Sequence, residues 1–119
     1  MPSSTAGNKA KGRRLQQAVR DLMLSLSSWL TPDDIVSRPM GSQGEDIMLS
    51  PAARKHWPLS IECKNQERVN LWAAWSQCKA NAPAETVATL ILKKNGAKPL
   101  AVVDMELFLR MVHELSSRH

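Results

Sequence analysis

Asp46, Glu62 and Lys64 are the charged residues whose types and spacing could carry out chemistry. Glu62 and Lys64 alternate with Ile61 and Cys63, so in a β-strand the two charges share one face. Opposite charges in an apolar strand are costly to bury unless they serve a site. Asp46 opens a second short apolar stretch. If these two strands are antiparallel neighbours, all three side chains meet.

Two carboxylates and a lysine are the groups that metal-assisted phosphodiester hydrolysis requires. Mg²⁺ is held by one or two carboxylates and keeps open positions for water and phosphate. Asp46 and Glu62 would supply the carboxylates, and the backbone carbonyl of Cys63 a third protein ligand. Lys64 would orient or help deprotonate the attacking water, or stabilise the phosphate charge. We expect Mg²⁺, replaceable by Mn²⁺, and direct attack of water on the phosphodiester.

The charge balance favours a polyanionic partner. The chain has 119 residues with 16 Lys and Arg against 11 Asp and Glu, a net charge of +5. Nucleic acid is the usual partner of such a chain, although a merely basic protein has the same composition. A basic N-terminal stretch could bind phosphates or act as a solubilising tail. The expected DNA-binding residues are Lys9, Lys11, Arg13, Arg14, Arg38 and Asn65.

The remaining composition excludes several classes of protein. No apolar run approaches the roughly 18 residues that a membrane span needs, and the first residues are too polar for a secretory signal. Cys63 and Cys78 lack zinc-site spacing, so a reduced, intracellular protein is the simpler interpretation. There is no P-loop or dinucleotide fingerprint, and we expect no small-molecule cofactor.

The periodicity of apolar residues predicts the order α-β-β-β-α-β-β-α, an α/β (α+β) chain with one mixed five-stranded sheet flanked by helices. Residues 1–11 lack periodicity and are expected to form a flexible basic arm, followed by a single domain at 12–119. Predicted helices span 12–30, 70–81 and 104–115, and predicted strands span 35–38, 46–49, 57–64, 87–92 and 100–103.

The apolar positions of the helices predict which faces are buried. The first helix should bury Leu15, Val19, Leu22, Leu26 and Trp29. The last helix has regular apolar positions at Phe108, Val112 and Leu115. Trp75 lies on a core face, whereas Trp72 lies off it and is a candidate for a dimer contact. Alternation points Glu45 away from Asp46, so we expect Glu45 to face solvent.

The segment Gly44-Glu45-Asp46-Ile47, followed by Ile61-Glu62-Cys63-Lys64 and an amphipathic helix, resembles the PD-(D/E)XK nuclease superfamily. Within it, the chain is similar to small Holliday-junction-resolvase-like nucleases of phages and archaea, over roughly residues 9–112. The resemblance implies a restriction-endonuclease-like core. It also implies a catalytic role for Ser42, in a Gly-Ser loop before the metal aspartate, and for Gln77 on the following helix.

Two positions differ from the family pattern. Glu45 stands where the family has proline, and the first helix has Gln16 and Gln17 where many members place an acid. For Ser42 an ordinary loop position is the alternative, and for Gln77 a solvent-facing one.

The residues and the resemblance together predict a metal-dependent DNA endonuclease acting at branched DNA such as Holliday junctions. Two nicks need two sites, so a symmetric homodimer is expected. The resemblance places the protein in the cytoplasm of a bacterial or archaeal host, or in a phage genome. The alternatives are a non-catalytic nucleic-acid-binding module that retains the nuclease fold, and a protein whose basic arm binds another protein.

Overall fold

The computed structural model describes residues 5–118, and for residues 5 and 6 it describes the backbone alone. That part of the chain contains helices and strands in the α+β arrangement that the sequence predicted. The elements are α1 Thr5–Leu26, β1 Ile35–Ser37, β2 Ile47–Leu49, α2 Pro51–His56, β3 Leu59–Asn65, α3 Leu71–Asn81, β4 Val87–Lys93, β5 Leu100–Val102 and α4 Met105–Ser117.

The five strands form two sheets, so the prediction of one five-stranded sheet is wrong. β1 and β2 form an antiparallel pair, and β3, β4 and β5 form a mixed sheet in that order. β4 pairs parallel with β3 and antiparallel with β5. The predicted neighbour of β3 is β2, yet the two strands share no ladder.

Asp46 explains why β2 and β3 do not form a ladder. Its backbone N–H donates to the Ile61 carbonyl at 2.8 Å, as a ladder bond would. The next N–H of β3, that of Cys63, donates instead to the Asp46 side chain, to Oδ2 at 2.7 Å. A side-chain acceptor takes the place of a backbone carbonyl, and backbone pairing ends there.

Helix α2 lies where the sequence predicted only a basic connection, which changes the order to α-β-β-α-β-α-β-β-α. Ser50 accepts the Ala53 N–H at 3.1 Å, and Pro51 occupies the first turn. Ser-Pro is a strong helix start, because the serine satisfies a free N–H and proline has none to satisfy. The signal was present in the sequence.

Helix α1 begins and ends earlier than predicted. It starts at Thr5, so residues 5–11 of the expected flexible arm are helical here, and residues 1–4 lie outside the described residues. It ends at Leu26, where the buried Ser27 donates both its N–H and its hydroxyl to the Met23 carbonyl. Trp29 therefore leaves the helix and is 63% exposed, not in the core as predicted.

The mixed sheet has a helix on each face. α1 packs on β3 and on the β1–β2 pair, and the core there includes Leu15, Met23, Ile35, Ile47, Ala53, Ile61 and Cys63. α3 packs on the other face, where Ala74 and Cys78 contact Leu90. Asn70 caps α3 and Asp104 caps α4, which confirms both predicted helix starts.

Candidate functional site

A polar cavity of about 190 Å³ lies where the start of α1, the 39–42 loop and β3 meet. Asp46, Glu62 and Lys64 all line it, so the structure brings together the three charged residues that the sequence selected. We call it the carboxylate cavity. β3 is an edge strand of its sheet, and this leaves room beside it for Asp46.

Asp46 is fixed in the cavity by backbone contacts on both sides. Its Oδ2 accepts the Cys63 N–H at 2.7 Å, and its carbonyl accepts the Arg38 N–H at 2.8 Å. Burial raises the pKa of Asp46, while the Cys63 N–H and the charges of Lys64 and Arg38 act in the opposite direction. The carboxylate is therefore well oriented but costly to ionise.

Glu62 is the most constrained acid of the cavity. It is only 5% exposed, and its Oε2 has no hydrogen-bond partner among the described residues. Burial and the nearby Asp46 charge raise the pKa of Glu62, against a hydrogen bond from Asn81 and the charges of Lys64 and Arg38. A buried carboxylate oxygen without a donor is destabilising unless a ligand completes it.

Cys63 can contribute its backbone but not its thiol. Its N–H points to the β3 edge beside Asp46, and a strand residue directs its carbonyl to the same edge. The carbonyl thus faces the side where the sequence placed a metal ligand. The thiol lies in the core on the other face, where burial raises its pKa, so it stays protonated.

Two cations border the two acids. Lys64 is half-buried on the same strand face as Glu62, and its charge favours ionisation of both carboxylates. Arg38 does the same from β1's end, with its Nε donating to the Glu45 carbonyl. Arg38, predicted as a DNA-binding residue, is thereby held close to the acids.

Glu45 is buried, so the prediction that it faces solvent is wrong. It points away from Asp46 as alternation requires, but it points into the protein and pairs with Arg54 of α2. Arg54 Nη1 lies 3.0 Å from Glu45 Oε2 and 2.8 Å from the Leu59 carbonyl. Arg54 thereby joins the loop before Asp46 to the start of β3. The arginine belongs to α2, the helix that the sequence did not predict.

Ser42 and Gln77 occupy different places relative to the cavity. Ser42 lines it, with its Oγ donating to the Pro39 carbonyl at 2.8 Å. Gln77 is exposed on α3 and does not line it. The α3 residue that reaches Glu62 is Asn81, one turn further along. The i, i+4 spacing of Gln77 and Asn81 was the available signal.

Gln16 is a cavity residue to which the sequence gave no role. It is 5% exposed and accepts a hydrogen bond from the Ser37 hydroxyl. Asn8, Gly12 and Gln16 line the cavity at i, i+4 spacing along α1. That row of small and polar residues in a helix was the signal that could have found it.

The predicted DNA-binding residues divide into exposed cations and residues with structural contacts. Lys9, Arg13 and Arg14 are exposed on α1, next to the row that lines the cavity. Asn65 lines the cavity, and its amide donates to the Lys11 carbonyl at 3.1 Å, which ties β3 to α1. These contacts place a basic helix along one rim of the carboxylate cavity.

The donor set of the cavity suits a hard divalent cation. Among residues 5–118 there is no group of three or more His, Cys, Asp or Glu side chains placed to hold a metal ion. The cavity instead offers two carboxylates and a carbonyl, and Mg²⁺ takes such oxygen ligands with several waters. The free Glu62 Oε2 is the atom that such a cation would satisfy.

Comparisons with known proteins assign no family to this chain. No family model, curated protein or solved structure matches it. None of the helices in the described part of the chain combines the length and apolar character needed to cross a bilayer.

Proposed function

We propose that this protein is a Mg²⁺-dependent endodeoxyribonuclease of the PD-(D/E)XK type. The observation that carries the proposal is the unpartnered Oε2 of the buried Glu62, beside Asp46 in one cavity. Burial raises the pKa values of both carboxylates, and the charge of Asp46 raises that of Glu62 further, so the two acids are costly to ionise together. A divalent cation held by the two acids would offset that cost, which is a physical reason for two acids in one cavity.

Each cavity residue has a role in this chemistry. Bound Mg²⁺ would neutralise phosphate charge and lower the pKa of a water molecule. Asp46, Glu62 and the Cys63 carbonyl would hold it. The Lys64 ammonium orients the attacking water or stabilises the phosphate. The Cys63 N–H keeps Asp46 in place, so the acid does not need to reorganise when DNA binds.

DNA would approach along α1. The exposed Lys9, Arg13 and Arg14 lie beside the cavity-lining row of the same helix, and the charge of Arg38 acts on both acids. Phosphate contacts from such cations fix the register of a DNA strand without reading its sequence. Branched DNA such as a Holliday junction is the proposed substrate, with a homodimer supplying two sites for paired nicks.

A cleavage panel tests the proposal directly. Junction, flap, nicked and linear duplexes are each incubated with Mg²⁺, Mn²⁺ or EDTA. We expect metal-dependent cleavage, strongest on the junction and at paired symmetric positions. Asp46→Asn and Glu62→Gln should bind the same DNA without cutting it, with Gln77→Ala as a matched control that still cuts. Cleavage by Glu62→Gln at the wild-type rate would exclude the site.

Metal binding separates the enzyme from the alternative, a non-catalytic DNA-binding module. Calorimetry with Mn²⁺ should show binding to the wild type and greatly weakened binding to Glu62→Gln. If neither Mg²⁺ nor Mn²⁺ binds while DNA affinity is intact, the chain is a binding module and not a nuclease.

A further inference from the structure

A second, entirely different surface lies further along α1. A groove of about 440 Å³ runs between the C-terminal half of α1 and strands β3 to β5. Every residue that lines it is apolar except Thr89, and none is charged. Leu22 and Leu26 border it and are 60% and 61% exposed. The sequence predicted both leucines to be buried, and nothing in the described chain covers them.

Helix α4 has an apolar face that nothing in the described chain covers. None of its residues is buried, and it makes no extensive contact with another helix or strand of the described chain. Leu107 is half-buried, and the other six large apolar side chains are 40–74% exposed: Met105, Phe108, Leu109, Met111, Val112 and Leu115. Patches on the order of several hundred Å² are rarely left open on a monomer. This amphipathic helix therefore lacks the surface that its sequence pattern requires.

We propose that α4 of one copy docks in the apolar groove of a second copy, and that the exchange is reciprocal. The groove-lining part of α1, from Leu15 to Leu26, is about 17 Å long at the rise of an α-helix. The 13 residues of α4 span about 20 Å. The two surfaces agree in length and in apolar character.

The groove has no charged lining residue, so its occupant must present an apolar face, and α4 has one. Its opposite side carries the pairs Glu106–Arg110 and Glu114–Arg118, at 3.6 and 3.3 Å, so its charges compensate each other. The groove offers no cation to a phosphate, so DNA does not fit it. A helix such as α4, with one apolar face and with ion pairs on its polar face, fits the groove.

The geometry of the single chain favours a second copy over the chain's own helix. Two residues, Val103 and Asp104, join β5 to α4, and Asp104 Oδ1 accepts the Leu107 N–H at 3.0 Å. With so short a connection α4 follows directly on β5, and no α4 residue lines the groove of its own chain. The radius of gyration is 14.8 Å, against about 13.5 Å expected for a compact chain of this length.

A two-fold dimer covers both surfaces at once. Each copy gives its α4 and receives that of its partner, so every contact occurs twice and the assembly closes. Two such contacts together can reach the roughly 1,600 Å² of a stable interface. The proposed dimer does not depend on catalysis, because the groove and the carboxylate cavity share no lining residue.

Light scattering with size-exclusion chromatography, without DNA or metal, tests the dimer. The wild type should be dimeric at high concentration and dissociate on dilution. Leu22→Asp in the groove and Phe108→Asp on α4 should each raise the dimer Kd about 30-fold or more, since a charge placed at an apolar hot spot is poorly tolerated. Both side chains are exposed in one copy, so folded monomers are expected by circular dichroism. Leu26→Asp is a second groove variant if Leu22→Asp fails to fold.

A mixing experiment tests the pairing itself. Leu22→Asp chains keep an intact α4, and Phe108→Asp chains keep an intact groove. Mixed together, they should form a heterodimer through one good contact, although neither dimerises alone at that concentration. Contact between two α4 helices, or between two grooves, would give no such rescue.

Trp72→Ala is the matched control. Trp72 is 75% exposed on α3, neither lines the groove nor belongs to α4, and was the predicted candidate for a dimer contact. It should leave the dimer Kd unchanged. A monomeric wild type at every concentration, failure of the mixed variants to associate, or loss of the dimer in Trp72→Ala would each overturn the proposal. A wild type that dimerises as proposed but cleaves no DNA would instead count against the nuclease function alone.

Discussion

The two halves of α1 face surfaces of opposite chemistry. Asn8, Gly12 and Gln16 line the carboxylate cavity, whereas Leu15 to Leu26 line the apolar groove. The cavity retains buried charge that the fold alone does not satisfy, and this indicates a small, charged ligand. The groove retains exposed apolar area with no polar group to orient a ligand, and this indicates a protein surface.

That difference shows how an unsatisfied feature identifies its partner. An unpartnered carboxylate oxygen calls for a cation, because only a positive charge or a donor removes its desolvation cost. An uncovered apolar face calls for another apolar face, because it gains free energy only by leaving water.

The largest effect is expected at Lys64. Lys64→Ala should lower the cleavage rate about 1,000-fold or more, because one preorganised charge at the reacting phosphate is removed. Mn²⁺ affinity should be retained or raised, since the lysine is not a ligand and competes with the cation. Single-turnover cleavage and calorimetry measure the two effects. Lys98→Ala, in the exposed hairpin, is the control and should cleave normally.

Loss of Arg54 should destabilise the fold around the carboxylate cavity. Arg54→Ala leaves Glu45 buried without its partner, and we expect a loss of about 3 kcal/mol in the free energy of unfolding. Arg110→Ala removes an exposed pair on α4 and should change the free energy of unfolding by less than about 0.5 kcal/mol. Urea unfolding measures both, and equal effects would contradict the assignment of Glu45–Arg54 as the buried pair.

The raised pKa values predict a pH-dependent cost in the metal-free protein. The native state takes up protons at Asp46 and Glu62 at higher pH than the unfolded chain does, since their pKa values lie above the ordinary 3.8 and 4.5. This contribution to stability is present at low pH and is lost as pH rises through the folded pKa values.

Glu62→Gln should therefore unfold at a higher temperature than the wild type at neutral pH without metal. The difference should shrink as pH falls towards 4.5, and Mn²⁺ should reverse the order by stabilising the wild type alone. Thermal unfolding across pH, with and without Mn²⁺, is the measurement. A wild type that is more stable than the variant at neutral pH without metal would show that Glu62 is satisfied within the fold.

The smallest effect is expected for the basic side of α1. Replacing both Lys9 and Arg13 with alanine should weaken DNA binding and reduce the salt slope of affinity by about 1 per removed phosphate contact. Leu22→Asp, on the apolar half of the same helix, should weaken DNA binding only as far as it removes the dimer. Fluorescence anisotropy at several salt concentrations distinguishes the two.

Local features of the fold follow from the amino-acid sequence alone. Asn70 and Asp104 cap their helices, because a cap needs only neighbouring residues. The shared strand face of Glu62 and Lys64 follows from alternation in the same way. These features could be predicted because their energetics are local.

The tertiary structure decided which of these features meet. Alternation fixed that Glu45 and Asp46 point in opposite directions, but only the position of α2 made one of those directions the interior. The Asp46 carboxylate took the place of a backbone partner, which split the predicted sheet. The placement of α3 on the sheet brought Asn81 instead of Gln77 to Glu62. Such choices depend on contacts between residues distant in sequence, which periodicity does not encode.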